Sequence, residues 1–287
     1  MLRVLVKLWN IDRRIVSGLV LLVLALPLVV PMRLPIVVLP ATEQLRRTID
    51  AVPRDKLIVL AMDWDSSVQG ECRPLTTALI DYLMRENRPF AIFALIAQGP
   101  ELTESIAEEL AVRNHKQYGE AWVNWGYRPN YQTTLIAMMN NLPDTIKTDI
   151  HQRPLSDYPL MKGVRSLKDV GLIYEVTGTG LLDVYVQFVG GVPLAQGCTA
   201  VIGPQQYPLL QSGQLKGLLV GLGGAAQFET LTGYRGPKGE TGGEGIRRMG
   251  SQSLGHLLVM ALIVLGNLGA WAAGQLAAKP GEETPRP

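Results

Sequence analysis

The sequence predicts an α/β protein: a doubly wound, mainly parallel five-stranded sheet of Rossmann or flavodoxin type, flanked by N- and C-terminal transmembrane helices. Three observations predict it. Short apolar runs alternate with amphipathic stretches between Lys56 and Ile202, the pattern of βαβ units around a parallel sheet. Two uncharged apolar segments of membrane-spanning length lie near the ends of the chain. Apolar residues make up 47% of the 287 positions and charged residues only 18%, a skew that those two segments largely create.

Residues 1–14 form a basic segment carrying Arg3, Lys7, Arg13 and Arg14. Residues 15–32, Ile15 to Met32, carry no charge and just reach the length needed to cross a bilayer. Pro31, Pro35 and Pro40 crowd the stretch behind them. That leaves no small-residue cleavage site of the kind a signal peptide needs, so an uncleaved anchor is expected.

The α/β domain is expected over 50–232. Lys56–Met62 reads as the first strand. Pro74–Arg85 reads as a helix, with Pro in its first turn and Leu75, Leu79, Ile80 and Leu83 on one face. Phe90–Ala97 is the second strand, Glu101–Val112 an amphipathic helix, Ala121–Trp125 the third strand and Asn130–Asn141 a helix. Leu142–Asp169 makes a longer excursion before a fourth strand at Gly171–Val176. A helix over Leu181–Phe188 returns to a fifth strand at Thr199–Ile202, and helices over Gln205–Gln211 and Gln214–Thr230 close the domain.

Residues 233–250 are Gly-rich without a core pattern and read as a flexible linker. The second transmembrane helix is expected over 251–278. Its Gly266, Ala270 and Gly274 fall at a spacing that lets another helix approach closely, either the first anchor or a second copy. Residues 279–287 are polar and expected to be disordered.

Several classes drop out. A net charge of +2, with no basic stripe interleaved with aromatics, argues against a nucleic-acid partner. Cys72 and Cys198 are the only cysteines, too few for a disulfide scaffold or a Cys-only zinc site. Neither GxGxxG nor GxxxxGK[ST] occurs, so the phosphate cradle of a nucleotide site is missing. No cofactor is expected. The expected partners are membrane lipid and a protein met through the second anchor or the domain rim.

In open α/β sheets, ligands bind where loops leave the carboxyl ends of the strands. Asp63, Asp65 and Glu71 follow the first strand, Gln98 the second, Tyr127 and Arg128 the third, Thr177 and Thr179 the fourth, and Gln205 the fifth. They are the candidates for contact with a polar ligand or partner. Asp63-Trp64-Asp65-Ser66-Ser67 resembles the first motif of haloacid-dehalogenase-type phosphohydrolases. That resemblance implies Asp63 as nucleophile, Asp65 as general acid and Mg²⁺ bridging the charges. The late acidic pair of that family is missing, since Lys168-Asp169 precedes its strand instead of following it.

The layout as a whole, with phrases such as Gly197-Cys198-Thr199-Ala200-Val201 and Gln211-Ser212-Gly213-Gln214-Leu215, resembles a group of uncharacterised bacterial membrane proteins with an α/β domain between two transmembrane helices. This resemblance implies a membrane protein and assigns no catalytic residue. The basic residues ahead of the first anchor keep the amino terminus cytoplasmic, which puts the domain outside the inner or plasma membrane. Arg247 and Arg248, ahead of the second span, bias the other way. The expected function is a non-catalytic, membrane-tethered binding or scaffold module acting in a membrane assembly. The alternative is a Mg²⁺-dependent phosphohydrolase using Asp63 and Asp65.

Overall fold

The computed structural model describes residues 2–30, 35–237 and 239–277. In chain order the elements are α1 (Leu2–Trp9), α2 (Arg13–Val29), α3 (Pro40–Ala51), β1 (Ile58–Asp63), α4 (Gln69–Arg85), β2 (Phe90–Ala94), α5 (Gly99–Asn114), β3 (Trp122–Tyr127), α6 (Tyr131–Asn140) and α7 (Leu142–Thr145). After three short 3-10 turns come β4 (Leu172–Thr177), α8 (Leu182–Phe188), β5 (Leu194–Cys198), α9 (Gly203–Gln211), β6 (Leu215–Val220), α10 (Gly221–Thr232) and α11 (Glu244–Ala277). The chain divides into two compact units, Pro35–Ile246 and residues 1–34 with 247–287.

In the first unit the strands lie in the order β3-β2-β1-β4-β5-β6, and every pairing is parallel. This order reverses between β1 and β4, as in the doubly wound dinucleotide-binding sheets. Both faces are covered, so most strands are apolar throughout and not alternating. Ile58, Leu60 and Met62 of β1 pack with Leu45, Leu79, Leu83 and Phe228 of α3, α4 and α10. Val59 and Ala61 pack on the other face with Leu135, Met138, Leu182 and Tyr185 of α6 and α8. Trp64, Trp122 and Trp125 are all at most 1% exposed.

The sheet has six strands, not the five expected. Leu215–Val220 forms edge strand β6, where a helix over Gln214–Thr230 was expected; the helix starts only at Gly221. A short apolar run carries no decisive periodicity, and pairing with β5 decides its state. The fifth strand likewise lies at Leu194–Cys198 and not at Thr199–Ile202. The expected linker is helical from Glu244 onward. Its first turn is held by Glu229, buried at 2% exposure. The Glu229 carboxylate accepts the backbone N–H groups of Gly243, Gly245 and Ile246, each at 2.9 Å. Unpaired amides at a helix start favour such an acceptor.

In the second unit, α11 is the one helix among the described residues long and apolar enough to cross a membrane. At 1.5 Å per residue its 34 residues extend about 51 Å. Helix α2 has 17 residues with Pro27 inside, about 26 Å, which falls short of that length. The expected end of the first anchor, Pro31 and Met32, lies outside the described residues, as do Lys238 of the expected linker, Ala278 at the end of the second anchor and the tail 279–287. A Cβ built on Gly269 would stand 2.3 Å from Trp9 Cβ, and one on Gly255 2.8 Å from Leu24 Cδ2. The absent side chain at Gly269 is what lets α1 lie against α11. The two contacts run in opposite chain directions, so α2 runs antiparallel to α11, with the end of α1 against Gly269. The expected stripe does not carry this packing: nothing stands within 4 Å of a Cβ on Gly266 or Gly274. Gly269 and the fully buried Ala272 form the packed face instead.

Candidate functional site

The switch point lies between the carboxyl ends of β1 and β4, where Asp63 pairs in register with Thr177 and Ala61 with Glu175. Parallel partners share a sheet face, so Asp63, Glu175 and Thr177 project to the same side. Gln196 and Cys198 of β5, in register with Glu175 and Thr177, extend this row. Asp63 is 0% exposed. Its Oδ1 accepts the Leu95 amide at 2.5 Å and its Oδ2 the Tyr185 hydroxyl at 2.6 Å. Burial pushes its pKa up from 3.8 to about 6, against the downward pull of the Tyr185, Leu95 and Ile96 hydrogen bonds.

Glu175 is buried as deeply. Gln196 Nε2 donates to its Oε2 at 3.0 Å, while Glu175 Oε1 and Gln196 Oε1 receive no hydrogen bond from the protein. Burial, and next the charge of Asp63, hold the Glu175 carboxyl well above the ordinary range. Each carboxyl therefore favours its protonated form more than a solvated one does. Tyr185 is inward-facing on α8, edge-on to Phe93 at 6.3 Å between ring centroids. Burial and then the Asp63 charge raise its pKa too.

The remaining candidates sort by distance from this row. Asp65 is partly exposed and turns back on its own loop: Ser67 N and Oγ donate to its Oδ1 at 2.8 and 2.6 Å, which lowers its pKa. Gln98 Oε1 accepts the Ser66 amide at 3.2 Å, closing the same loop from β2. Thr177 Oγ1 accepts the Thr179 amide at 3.0 Å, shaping the exposed 178–180 turn. Glu71 in the first turn of α4 reaches across to the β5 end, its Oε2 accepting the Ala200 amide at 2.8 Å. Gly221 permits this: its φ of +55° suits glycine, and a Cβ there would stand 2.6 Å from the Glu71 oxygen. The structure thus gathers Asp63, Asp65, Gln98, Thr177 and Thr179 at the switch point, with Glu71 at the neighbouring crevice.

Three candidates lie apart. Tyr127 ends β3 and Arg128 follows it, two strands from β1, about 10 Å away at ordinary strand spacing. Tyr127 is 42% exposed. Arg128 donates from Nη2 to the carbonyls of Trp125 and Thr148, pinning a loop instead of facing a ligand. Gln205 is exposed on α9. The expectations from single residues missed Tyr185, Glu175 and Gln196. A glutamate and a glutamine inside otherwise apolar strands were the available signal.

A phosphoryl nucleophile must present an oxygen to phosphorus, and both Asp63 oxygens are engaged inside the fold. Among the described residues no group of three or more His, Cys, Asp and Glu is placed to hold a metal ion. Thiol chemistry is disfavoured as well: Cys72 and Cys198 are free and buried, and burial raises both thiols, Cys198 up to about 12. His151 pairs through Nε2 with Glu104 Oε1 at 2.8 Å, not with a cysteine. What faces outward at the crevice is Asp65, Thr179 and, in the first turn of α8, Asp183. This acidic surround is matched to hydrogen-bond donors or positive charge. Compared with known proteins, the chain matches no family model, no curated protein and no solved structure.

Proposed function

We propose that this chain is a membrane-tethered α/β module that binds a donor-rich or cationic partner at its switch-point rim and catalyses no reaction. The observation that carries this reading is the division of labour in the Asp63-Trp64-Asp65 loop. Asp63 is spent on holding β1, β2 and α8 together, while Asp65 and Thr179 are left on the surface beside it. Helix α11, and with it α2, would hold the module in an inner or plasma membrane. Antiparallel packing of α2 on α11 would put the start of α2 and the end of α11 on one side of the bilayer. Arg3, Lys7, Arg13 and Arg14 at that end make it the cytoplasmic side and the domain extracytoplasmic. An assembly partner would meet the rim or the Gly266, Ala270 and Gly274 stripe of α11, whose Ala270 and Gly274 are exposed.

The test is purification of the intact protein from its native membranes after mild crosslinking, beside the variant Asp65→Ala with Thr179→Ala. A stoichiometric species present with the natural chain and lost from the variant supports the reading. An unchanged set removes the rim from it. Hydrolysis of a phosphoester panel that disappears in Asp63→Asn would replace it with the phosphohydrolase.

A further inference from the structure

We propose that the basic, aromatic end of the helical unit binds the headgroups of anionic phospholipids. The inference rests on the membrane reading above and names the lipid that one end of it selects. Of the five tryptophans, Trp64, Trp122 and Trp125 are buried, whereas Trp9 is 48% and Trp271 57% exposed. Both exposed indoles lie at one end of the unit, because Trp9 packs on Gly269, two residues before Trp271. An indole has an apolar body and a polar N–H edge, and it settles at the boundary between acyl chains and headgroups. From Arg248 to Trp271 helix α11 rises about 35 Å at 1.5 Å per residue, close to the thickness of one hydrocarbon core. The two tryptophans therefore mark a single lipid–water boundary.

Among the described residues, the charges at that boundary are cationic but for Asp12. Helix α1 sets Leu2, Leu5, Val6 and Trp9 on one side and Arg3 and Lys7 on another, so its apolar side can meet α11 or acyl chains while its cations reach the headgroups. Arg13 and Arg14 open α2 one turn later. Lys7, Arg13 and Arg14 are exposed. The one acid in this segment, Asp12, spends its Oδ1 on the Arg14 backbone amide at 2.8 Å. A row of cations beside an aromatic belt matches the phosphate of an anionic lipid and gains nothing from a zwitterionic one.

The test uses the full-length protein purified in mild detergent, exposed to an equimolar mixture of phosphatidylglycerol and phosphatidylcholine of matched chains, then repurified. Bound lipid is measured by mass spectrometry for the natural chain and for Lys7→Gln with Arg13→Gln and Arg14→Gln. The natural chain is expected to retain phosphatidylglycerol preferentially, and less of it at high salt. The triple variant is expected to lose at least about fivefold of that preference, one cation's share. Equal retention of the two lipids, or a preference that survives the triple substitution, overturns the proposal. Flotation with phosphatidylcholine vesicles separates this from the reading beneath it. Both proteins float if the helices insert, and a natural chain that does not float overturns the membrane reading and this inference together.

Discussion

Replacing Asp63 by Asn probes the buried carboxyl at the switch point. Burial raises its pKa from 3.8 to about 6 in the folded chain. A carboxyl whose folded pKa lies above its unfolded one favours folding while it is protonated. That contribution is whole below about pH 4 and is lost as pH rises through about 6, a change of about 3 kcal/mol. Asparagine keeps the shape: its carbonyl accepts the Leu95 amide, and its NH₂ donates to a Tyr185 hydroxyl that rotates to accept. It buries no charge at any pH. The unfolding free energy of Asp63→Asn should therefore match that of the natural chain at about pH 4 and exceed it by about 3 kcal/mol at about pH 8. Glu175 titrates in both proteins, and loss of the Asp63 charge relieves part of the upward push on its pKa, which widens the difference in the same direction. The assay is urea unfolding of the full-length protein in detergent across this pH range, followed by the fluorescence of buried Trp64, Trp122 and Trp125. A difference that stays flat with pH, or that favours Asp at the alkaline end, refutes the reasoning.

Tyr185→Phe removes the donor to Asp63 Oδ2 and should cost about 1–3 kcal/mol at neutral pH, with a smaller cost in acid, by the same unfolding assay. Glu229→Ala leaves three amides at the start of α11 without their acceptor and should cost about 3 kcal/mol or more. Faster hydrogen exchange at Gly245 and Ile246 would locate the loss. Asp65→Ala with Thr179→Ala should leave stability within about 0.5 kcal/mol while weakening partner recovery; a large stability loss would make these residues structural.

Much of the sheet was legible because its inner strands are short apolar runs closed by turn residues. Asp63 at the end of β1 marked the site for the same reason: a charge after such a run lands at a strand's carboxyl edge. What Asp63 does there was not legible. Tyr185, 122 positions away, reaches it only once α8 packs against β1, and nothing local to either residue encodes that meeting. The β6 strand was hidden because Leu215–Val220 runs directly into Gly221 and a helix, so one apolar stretch holds two elements. The start of α11 was hidden because Gly242 and Gly243 lead into it and Gly245 sits in its first turn, poor helix formers by composition. Glu229, from α10, supplies what the local sequence lacks. The face of α11 that meets α1 lies one helical position from the expected stripe: Gly269 meets Trp9, while Gly266 and Gly274 have the spacing but no such neighbour among the described residues.

The central claim is that this α/β domain is tied to lipid through the apolar helices at its ends. Alkaline carbonate extraction of membranes from cells making the full-length protein tests it most directly. The account predicts that the protein stays in the pellet with integral membrane proteins and moves to the supernatant once both apolar helices, residues 13–29 and 244–277, are removed. A natural chain released whole into the supernatant would contradict it.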